Sequence, residues 1–261
     1  MSKQMRIIFV TGTNTDVGKT VATASAVAAT HSAQPDLKIG VIKPAQTGVT
    51  EVSAEQLGEW ESGDRGDLAA IRTLIPSIPL VVDEFVRYPE PLAPDLAARR
   101  AKMPLYPAAV FADVIRKLAR NVDVLFVEGA GGLLVGLGES SAGEPVTVLT
   151  IAQEVARDTA TEVSFLLVSQ PDLGMLNHCL LSVREIERAG VPCDGIVLGT
   201  WPTQPDLAMM LNQQEVTRVT NIPVIARIPS SSGSTAVLEP ELKTIVESHS
   251  SDWWQQLPWL A

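Results

Sequence analysis

Six short apolar runs set the rhythm of the chain: residues 6–11 (RIIFVT), 38–43 (KIGVIK), 123–129 (DVLFVEG), 164–169 (SFLLVS), 194–199 (DGIVLG) and 222–228 (IPVIARI). They are rich in Val and Ile and too continuous for strands with one wet face, which predicts strands buried on both sides. Between them, helical patterns cover Lys19 to His31, Leu68 to Leu74, Pro107 to Arg120, Leu173 to Ala189 and Asp206 to Val219. Several end in stop signals such as Ala189-Gly190 or Asn221-Ile222-Pro223. Buried strands alternating with helices predict an α/β fold, a mostly parallel sheet covered by helices on both faces. Ligands of such sheets gather at the carboxyl ends of the strands, so the residues directly after each run are the ones to read for chemistry.

The first run ends at Thr11, and GTNTDVGKT (residues 12–20) follows. An ordinary phosphate-binding loop reads G-x-x-x-x-G-K-[ST], whereas here the leading Gly12 stands one position too early for Gly18-Lys19-Thr20. Strand, glycines, Lys-Thr and helix nevertheless occur in the required order. The glycines let backbone N–H groups aim inward, and the helix starting near Lys19 adds the positive end of its dipole. Lys19 is expected on the β- and γ-phosphates and the Thr20 hydroxyl on Mg²⁺. The other reading is a glycine turn before a helix whose lysine faces solvent.

The second run leads into KPAQTG, Lys43 to Gly48. Pro44 stiffens the turn and bars a helix, which places Lys43 where phosphates would lie; a solvated surface lysine is the alternative. Thr47 adds a hydroxyl. After the third run, VEGAGG carries Glu128, a carboxylate at a strand end suited to Mg²⁺ in the manner of a Walker-B acid. Asp67, opening a helix after SGDRG, is either a second metal ligand or a plain N-cap. Asp16, inside the lengthened loop, is a third acid.

Composition narrows the class. The chain has 261 residues, 46% apolar and 19% charged, enough for one core and one domain over residues 1–261. A net charge of -10 repels polyanions and argues against nucleic acid as a partner. Cys179 and Cys193 form no C-x-x-C and read as buried thiols. No run reaches transmembrane length and the first residues hold no apolar signal segment, so a cytoplasmic protein without membrane contact is expected. SSSGS (230–234) reads as a loop, and Trp253, Trp254 and Trp259 as packing anchors.

Taken together, these residues resemble the dethiobiotin synthetase family. Its loop is one residue longer than the ordinary one, and GTNTDVGKT is similar to it position for position; KPAQTG, Asp67, VEGAGG and DLGMLNH (172–178) follow in the family's order. The resemblance covers nearly the whole chain. It implies a single-domain P-loop NTPase fold and closure of a cyclic urea from 7,8-diaminopelargonate, CO2 and a nucleoside triphosphate, with Mg²⁺. By the resemblance Lys19, Lys43 and Thr15 are catalytic, and Asn14, Thr15, Asp16, Val17, Gly18, Lys19, Thr20 and Val21 bind nucleotide together with Gly199, Thr200 and Pro229. Thr20, Asp67, Glu128 and Asp16 hold or orient the metal. Thr15, Lys43, Thr47 and Gly131 meet the diamine, while Gly174, Met175, Leu176 and Asn177 of a neighbouring subunit receive its carboxyl tail in a homodimer with shared sites. His178 has no assigned chemistry in the family and reads as structural.

The chain departs from the pattern twice: Asp16 stands where many relatives carry Glu, and Gly199 where many carry an adenine-reading Asn. A different class, the MinD/ParA-like switch ATPases, carries a signature lysine five positions before the loop lysine. Here that position is Asn14, and the tail SHSSDWWQQLPWLA offers no Lys or Arg to a membrane. A third reading, an amide ligase fed by a glutaminase domain, needs a longer chain.

Overall fold

A computed structural model describes residues 5–48, 66–230 and 257–260. In chain order the elements are β1 (Met5–Gly12), α1 (Lys19–Ala33), β2 (Ile39–Thr47), α2 (Asp67–Leu74), β3 (Leu80–Tyr88), α3 (Pro94–Ala101) and α4 (Ala108–Ala119). There follow β4 (Val124–Gly132), a hairpin of β5 (Gly136–Glu139) and β6 (Pro145–Thr147), α5 (Val148–Val155) and β7 (Thr161–Ser169). The last are α6 (Met175–Arg188), β8 (Cys193–Trp201), α7 (Leu207–Thr220), β9 (Val224–Pro229) and a short 3₁₀ turn, Pro258–Leu260. Seven strands form one parallel sheet in the order β3-β2-β4-β1-β7-β8-β9.

The six expected strands and five expected helices are present, with ends shifted by a residue or a few. Continuous apolar runs arise because both faces of the sheet are covered. On β1, Ile8 and Val10 pack with α1 and α2, while Ile7 and Phe9 pack with α4 and α5 on the other face. Further along that second face α6 and α7 cover Leu167, Ile196 and Leu198. Trp259 anchors its end of the chain as expected, donating from Nε1 to the Thr30 hydroxyl at 2.9 Å and meeting Phe126 edge-on. Trp253, Trp254 and residues 231–234 of the expected loop lie outside the described residues.

One expectation fails locally. Pro44 does not end the second strand: β2 continues to Thr47, pairing with β3 beyond Pro44 while its pairing with β4 stops at Ile42. A strand flanked on one side only tolerates a residue without an N–H. β2 and β4 thus no longer pair with each other beyond Ile42, on the stretch where Lys43 and Glu128 stand.

Candidate active site

Side-chain alternation decides what stands at the strand ends. Ile39 and Val41 on β2, and Val124 and Phe126 on β4, face α1 and α2, so Lys43 and Glu128 two residues further on face the same way. Both are buried, Lys43 at 3% exposure and Glu128 at 1%. From above, α2 contributes Asp67 and α1 contributes Thr20. The Lys43 ammonium lies 2.5 Å from Asp67 Oδ2 and 3.1 Å from Glu128 Oε1, and donates to the Gly129 carbonyl at 2.9 Å. The Thr20 hydroxyl donates to the same Glu128 oxygen at 3.0 Å. Lys43 is therefore no solvated surface lysine.

Asp67 is not an N-cap: Gly66 holds that place and has no side chain to cap with, and the Asp67 carboxylate is engaged by Lys43. Gln46, which sequence reasoning passed over, fixes this arrangement. Its Oε1 accepts the Asp67 N–H at 2.8 Å and its Nε2 donates to the Thr47 carbonyl. The only signal for it was its place inside KPAQTG. Burial alone would push the Lys43 ammonium down, but Asp67 and Glu128 more than reverse this and hold it above its ordinary range. Burial likewise works against the Asp67 charge, yet Lys43 keeps that carboxyl below its usual value. Glu128 is raised, because burial outweighs the attraction of Lys43.

The lengthened loop wraps over this cluster. Asp16 (φ 58°) and Gly18 (φ 91°) both take left-handed backbone, a conformation that turns N–H groups into a concave cradle. A Cβ at Gly12 would stand 2.7 Å from the Asn14 carbonyl oxygen and 2.8 Å from Val17 Cγ2, so the loop closes only over a glycine. Val17, 1% exposed, pins the loop to the core. The Asn14 side chain caps the Thr15 N–H at 2.8 Å, and Lys19 donates to the Asn14 carbonyl at 3.0 Å. Lys19 is 8% exposed. Burial and the Lys43 charge bring its ammonium down to about 8, so an anion beside it would restore the charged form. Asp16 stays on the exposed rim, and its carboxylate joins neither Thr20 nor Glu128; its carbonyl accepts from Gln170, another residue not foreseen. Val21 sits in the first turn of α1, half-buried against the core.

Around the loop stand the remaining candidates. A Cβ on Gly131 (φ 66°) would lie 3.5 Å from the Thr15 hydroxyl, which places β4's end beside the loop. Thr47 closes β2 half-buried. A Cβ on Gly199 would fall 2.0 Å from the Val17 carbonyl oxygen, so the end of β8 packs backbone to backbone against the loop and has no room for a side chain. Thr200 (φ 54°) follows, and Pro229 pairs with Trp201.

The DLGMLNH turn begins two residues after Gln170, which bonds the Asp16 carbonyl on the loop's rim. Gly174 (φ 101°) is the N-cap of α6 without a side-chain cap. Met175 is buried at 2%, and its N–H donates to the Asp172 carbonyl at 3.0 Å, so it offers no side chain outward. Leu176 and Asn177 come before the first helical bond, which His178 donates to Gly174, and their N–H groups have no partner within the helix.

The acids and hydroxyl supply what a hard divalent cation takes. Thr20 and Glu128 meet at one point, Asp67 stands across Lys43, and buried Glu128 Oε2 has no hydrogen-bond partner among the described residues. An acceptor left free there fits Mg²⁺ that keeps waters and phosphate oxygens as its other ligands.

A parallel sheet with a phosphate-cradling loop after β1, a lysine and hydroxyl opening α1, and an acid at the end of β4 defines a P-loop nucleoside triphosphatase. The model of the AAA domain family matches residues 6–237. The ATP-dependent dethiobiotin synthetase BioD of Rhodococcus jostii (strain RHA1) is 41% identical over 232 residues, covering 89% of this chain and 90% of that protein. The same-named protein of Rhodococcus erythropolis is 41% identical over 235 residues, 90% of this chain and 93% of its own, and that of Saccharopolyspora erythraea 36% over 230, 88% and 90%. The chain belongs to the ATP-dependent dethiobiotin synthetase family. Among solved structures, a ParA family ATPase from Chlorobium tepidum TLS superposes with a TM-score of 0.50 at 15% identity, covering 95% of this chain and 98% of that one. A complex of Cyanothece McdA with ATP gives 0.50 at 12%, covering 98% and 94%; both likenesses establish the fold alone.

Proposed function

We propose that this site joins CO2 to 7,8-diaminopelargonate and closes the cyclic urea of dethiobiotin, converting a nucleoside triphosphate to its diphosphate and phosphate. The carrying observation is the second lysine: Lys43, buried between Asp67 and Glu128 beneath the loop that holds Lys19. An amine adds its lone pair to CO2, giving a carbamate and releasing a proton. The carbamate oxygen attacks the γ-phosphorus as the bond to the β-phosphate oxygen breaks. The second amine then attacks the carbonyl carbon, the C–O bond to phosphate breaks, a second proton is released, and the ring is closed. Carbamate and triphosphate are both anions, so bringing them together needs fixed positive charge. Lys19 supplies it from the loop and Lys43 from the second strand, and preorganised charge of this kind is the largest single term in many such reactions.

Thr15 and Thr47 orient the carbamate and amines, Gly131 leaves room beside Thr15, and the loop residues Asn14 to Val21 cradle the phosphates, so proximity supplies much of the rest. Gly199, Thr200 and Pro229 border the base. Thr20, Asp67 and Glu128 would hold Mg²⁺, with Asp16 at the rim; the ion, when bound, neutralises phosphate charge. The start of α6 takes the carboxyl tail of the diamine in a neighbouring subunit's site. In support of that homodimer, large apolar residues are exposed just before α6 (Leu173), on α6 (Leu181) and on α7 (Leu207, Met210 and Leu211).

The test is fixation of labelled bicarbonate. With Mg-ATP the protein should form an acid-stable labelled product only when diaminopelargonate is present. Rapid ATP turnover indifferent to the diamine, with no labelled product, would sink this reading and favour the MinD/ParA-like switch.

A further inference from the structure

Asn212 lies on the second turn of α7, is 7% exposed, and belongs to a residue type that is unfavourable in helix interiors. Its amide serves neither solvent nor its own helix. Nδ2 donates to the Pro171 carbonyl at 3.0 Å and to the Asp172 carbonyl at 2.9 Å. Both partners are acceptors, so only the nitrogen can face them. Carbonyls of consecutive residues point apart in an extended chain, and two that converge on one nitrogen mark a bend. The bend continues into the next residues. The Asp172 carbonyl also accepts the Met175 N–H at 3.0 Å, and Gly174 has φ 101° and ψ -14°, the third position of a type II turn. Asn212 thus clamps, from a neighbouring helix, the turn from which α6 starts.

We infer that Asn212 is a positioning residue for the diamine. By fixing the 171–174 turn it sets where the Leu176 and Asn177 N–H groups aim, and so sets the affinity for the substrate's carboxylate. This rests on the reading that the α6 start takes that carboxylate. Among the described residues Asn212 bonds the Pro171 and Asp172 carbonyls and none of Lys43, Asp67, Glu128 or Thr20, which separates its effect from phosphoryl transfer. Asn212→Asp keeps the shape and sets an acceptor against two carbonyl oxygens; Asn212→Ser keeps one donor on a shorter arm.

The experiment measures kcat and both KM values for these variants, with the diamine and with its carboxyl methyl ester. In Asn212→Asp the diamine KM should rise roughly tenfold or more while kcat and the ATP KM stay within about twofold, the pattern of lost binding rather than lost chemistry. The wild-type preference for free acid over ester should shrink in the same variant, with Asn212→Ser in between. Should Asn212→Asp fail to fold, Asn212→Ser carries the comparison. A wild-type protein that treats acid and ester alike removes the carboxylate reading and this inference with it. Wild-type discrimination retained in both variants, at unchanged diamine KM, overturns the role of Asn212 and leaves the carboxylate reading standing. Loss of kcat and of both affinities together, with a lowered Tm, reduces Asn212 to a support of the fold and also overturns the inference.

Discussion

Helices α1 and α6 begin alike and are surrounded differently. Each is capped by a left-handed glycine, Gly18 or Gly174, with no side-chain cap and no acid in its first turn. Each therefore leaves the positive end of its dipole without a counter-charge from its own first turn. At α1 the protein encloses that end: Val17 and Lys19 are buried, and Lys43, Asp67 and Glu128 lie beneath. At α6 the same motif stands in solvent, with Leu173 88% exposed at its tip. The difference teaches what each end lacks. On the proposed function the first needs only a small anionic ligand to become a phosphate site, while the second, a backbone cradle without walls, is the half-site that the proposed homodimer would complete.

The sharpest way to break this contrast is at Lys43. Lys43→Met should lower kcat by roughly 10²-fold or more with a much smaller change in nucleotide affinity, because the ammonium acts on charge that develops during transfer. It also strips the cation from two buried carboxylates, a change that typically costs about 3 kcal/mol or more of stability. Mg²⁺ should therefore raise the Tm of Lys43→Met more than that of the wild type. Lys19→Met, by contrast, should weaken both nucleotide binding and kcat, since Lys19 lies within the loop itself. Wild-type turnover by Lys43→Met would show that the enclosed end of the sheet is not where the chemistry happens.

The exposed helix start is tested by mixing. Met175 is no place for a blocking acid, because it is buried and a charge there would disrupt the helix start; Asn177→Glu sets the anion at the exposed first turn instead. Lys43→Met and Asn177→Glu should each be inactive alone. Mixed one to one under subunit exchange, half the dimers are hybrid and each has one intact site, so roughly a quarter of wild-type activity should return. No recovery despite demonstrated exchange would mean that α6 serves the site of its own chain.

The same contrast explains what was legible in the residues. The loop and Glu128 were readable because each motif is local: strand, glycines, lysine and helix within a few positions. Lys43 stayed ambiguous because its burial depends on Asp67 and Glu128, partners distant in sequence that only the folded sheet brings together. Strand β3 escaped notice since it is an edge: Asp83, Glu84 and Arg87 interrupt its apolar positions, and among the described residues only β2 pairs with it. Helix α5 was missed because its capping box uses Thr147 and Thr150, where the usual third partner is Glu or Gln. Asn212 gave no signal at all, being one polar residue in an ordinary helix whose acceptors are backbone carbonyls.

The smallest expected effect concerns the base. By the family resemblance Gly199 stands in the place of an adenine-reading Asn, and a bidentate amide of that kind discriminates by about 1–3 kcal/mol in base readout. The substitution is not a simple loss of a side chain, because the space is filled: a Cβ there would stand 2.0 Å from the Val17 carbonyl oxygen. Gly199→Asn should therefore displace the loop and weaken all nucleotides alike, without gaining selectivity for ATP. A rival reading has Trp201 stacking on adenine, yet the Arg227 guanidinium already lies 5.7 Å from the Trp201 ring centre and covers one face of it. With the triphosphate carrying most of the binding, GTP and CTP should support turnover within about 10-fold of ATP in kcat/KM. Measuring kcat/KM for ATP, GTP, CTP and UTP at saturating diamine decides the matter. A preference for ATP above about 100-fold, the scale of a good bidentate pair, would mean that Thr200, Trp201 or a neighbouring side chain such as Gln204 reads the base in place of the missing amide.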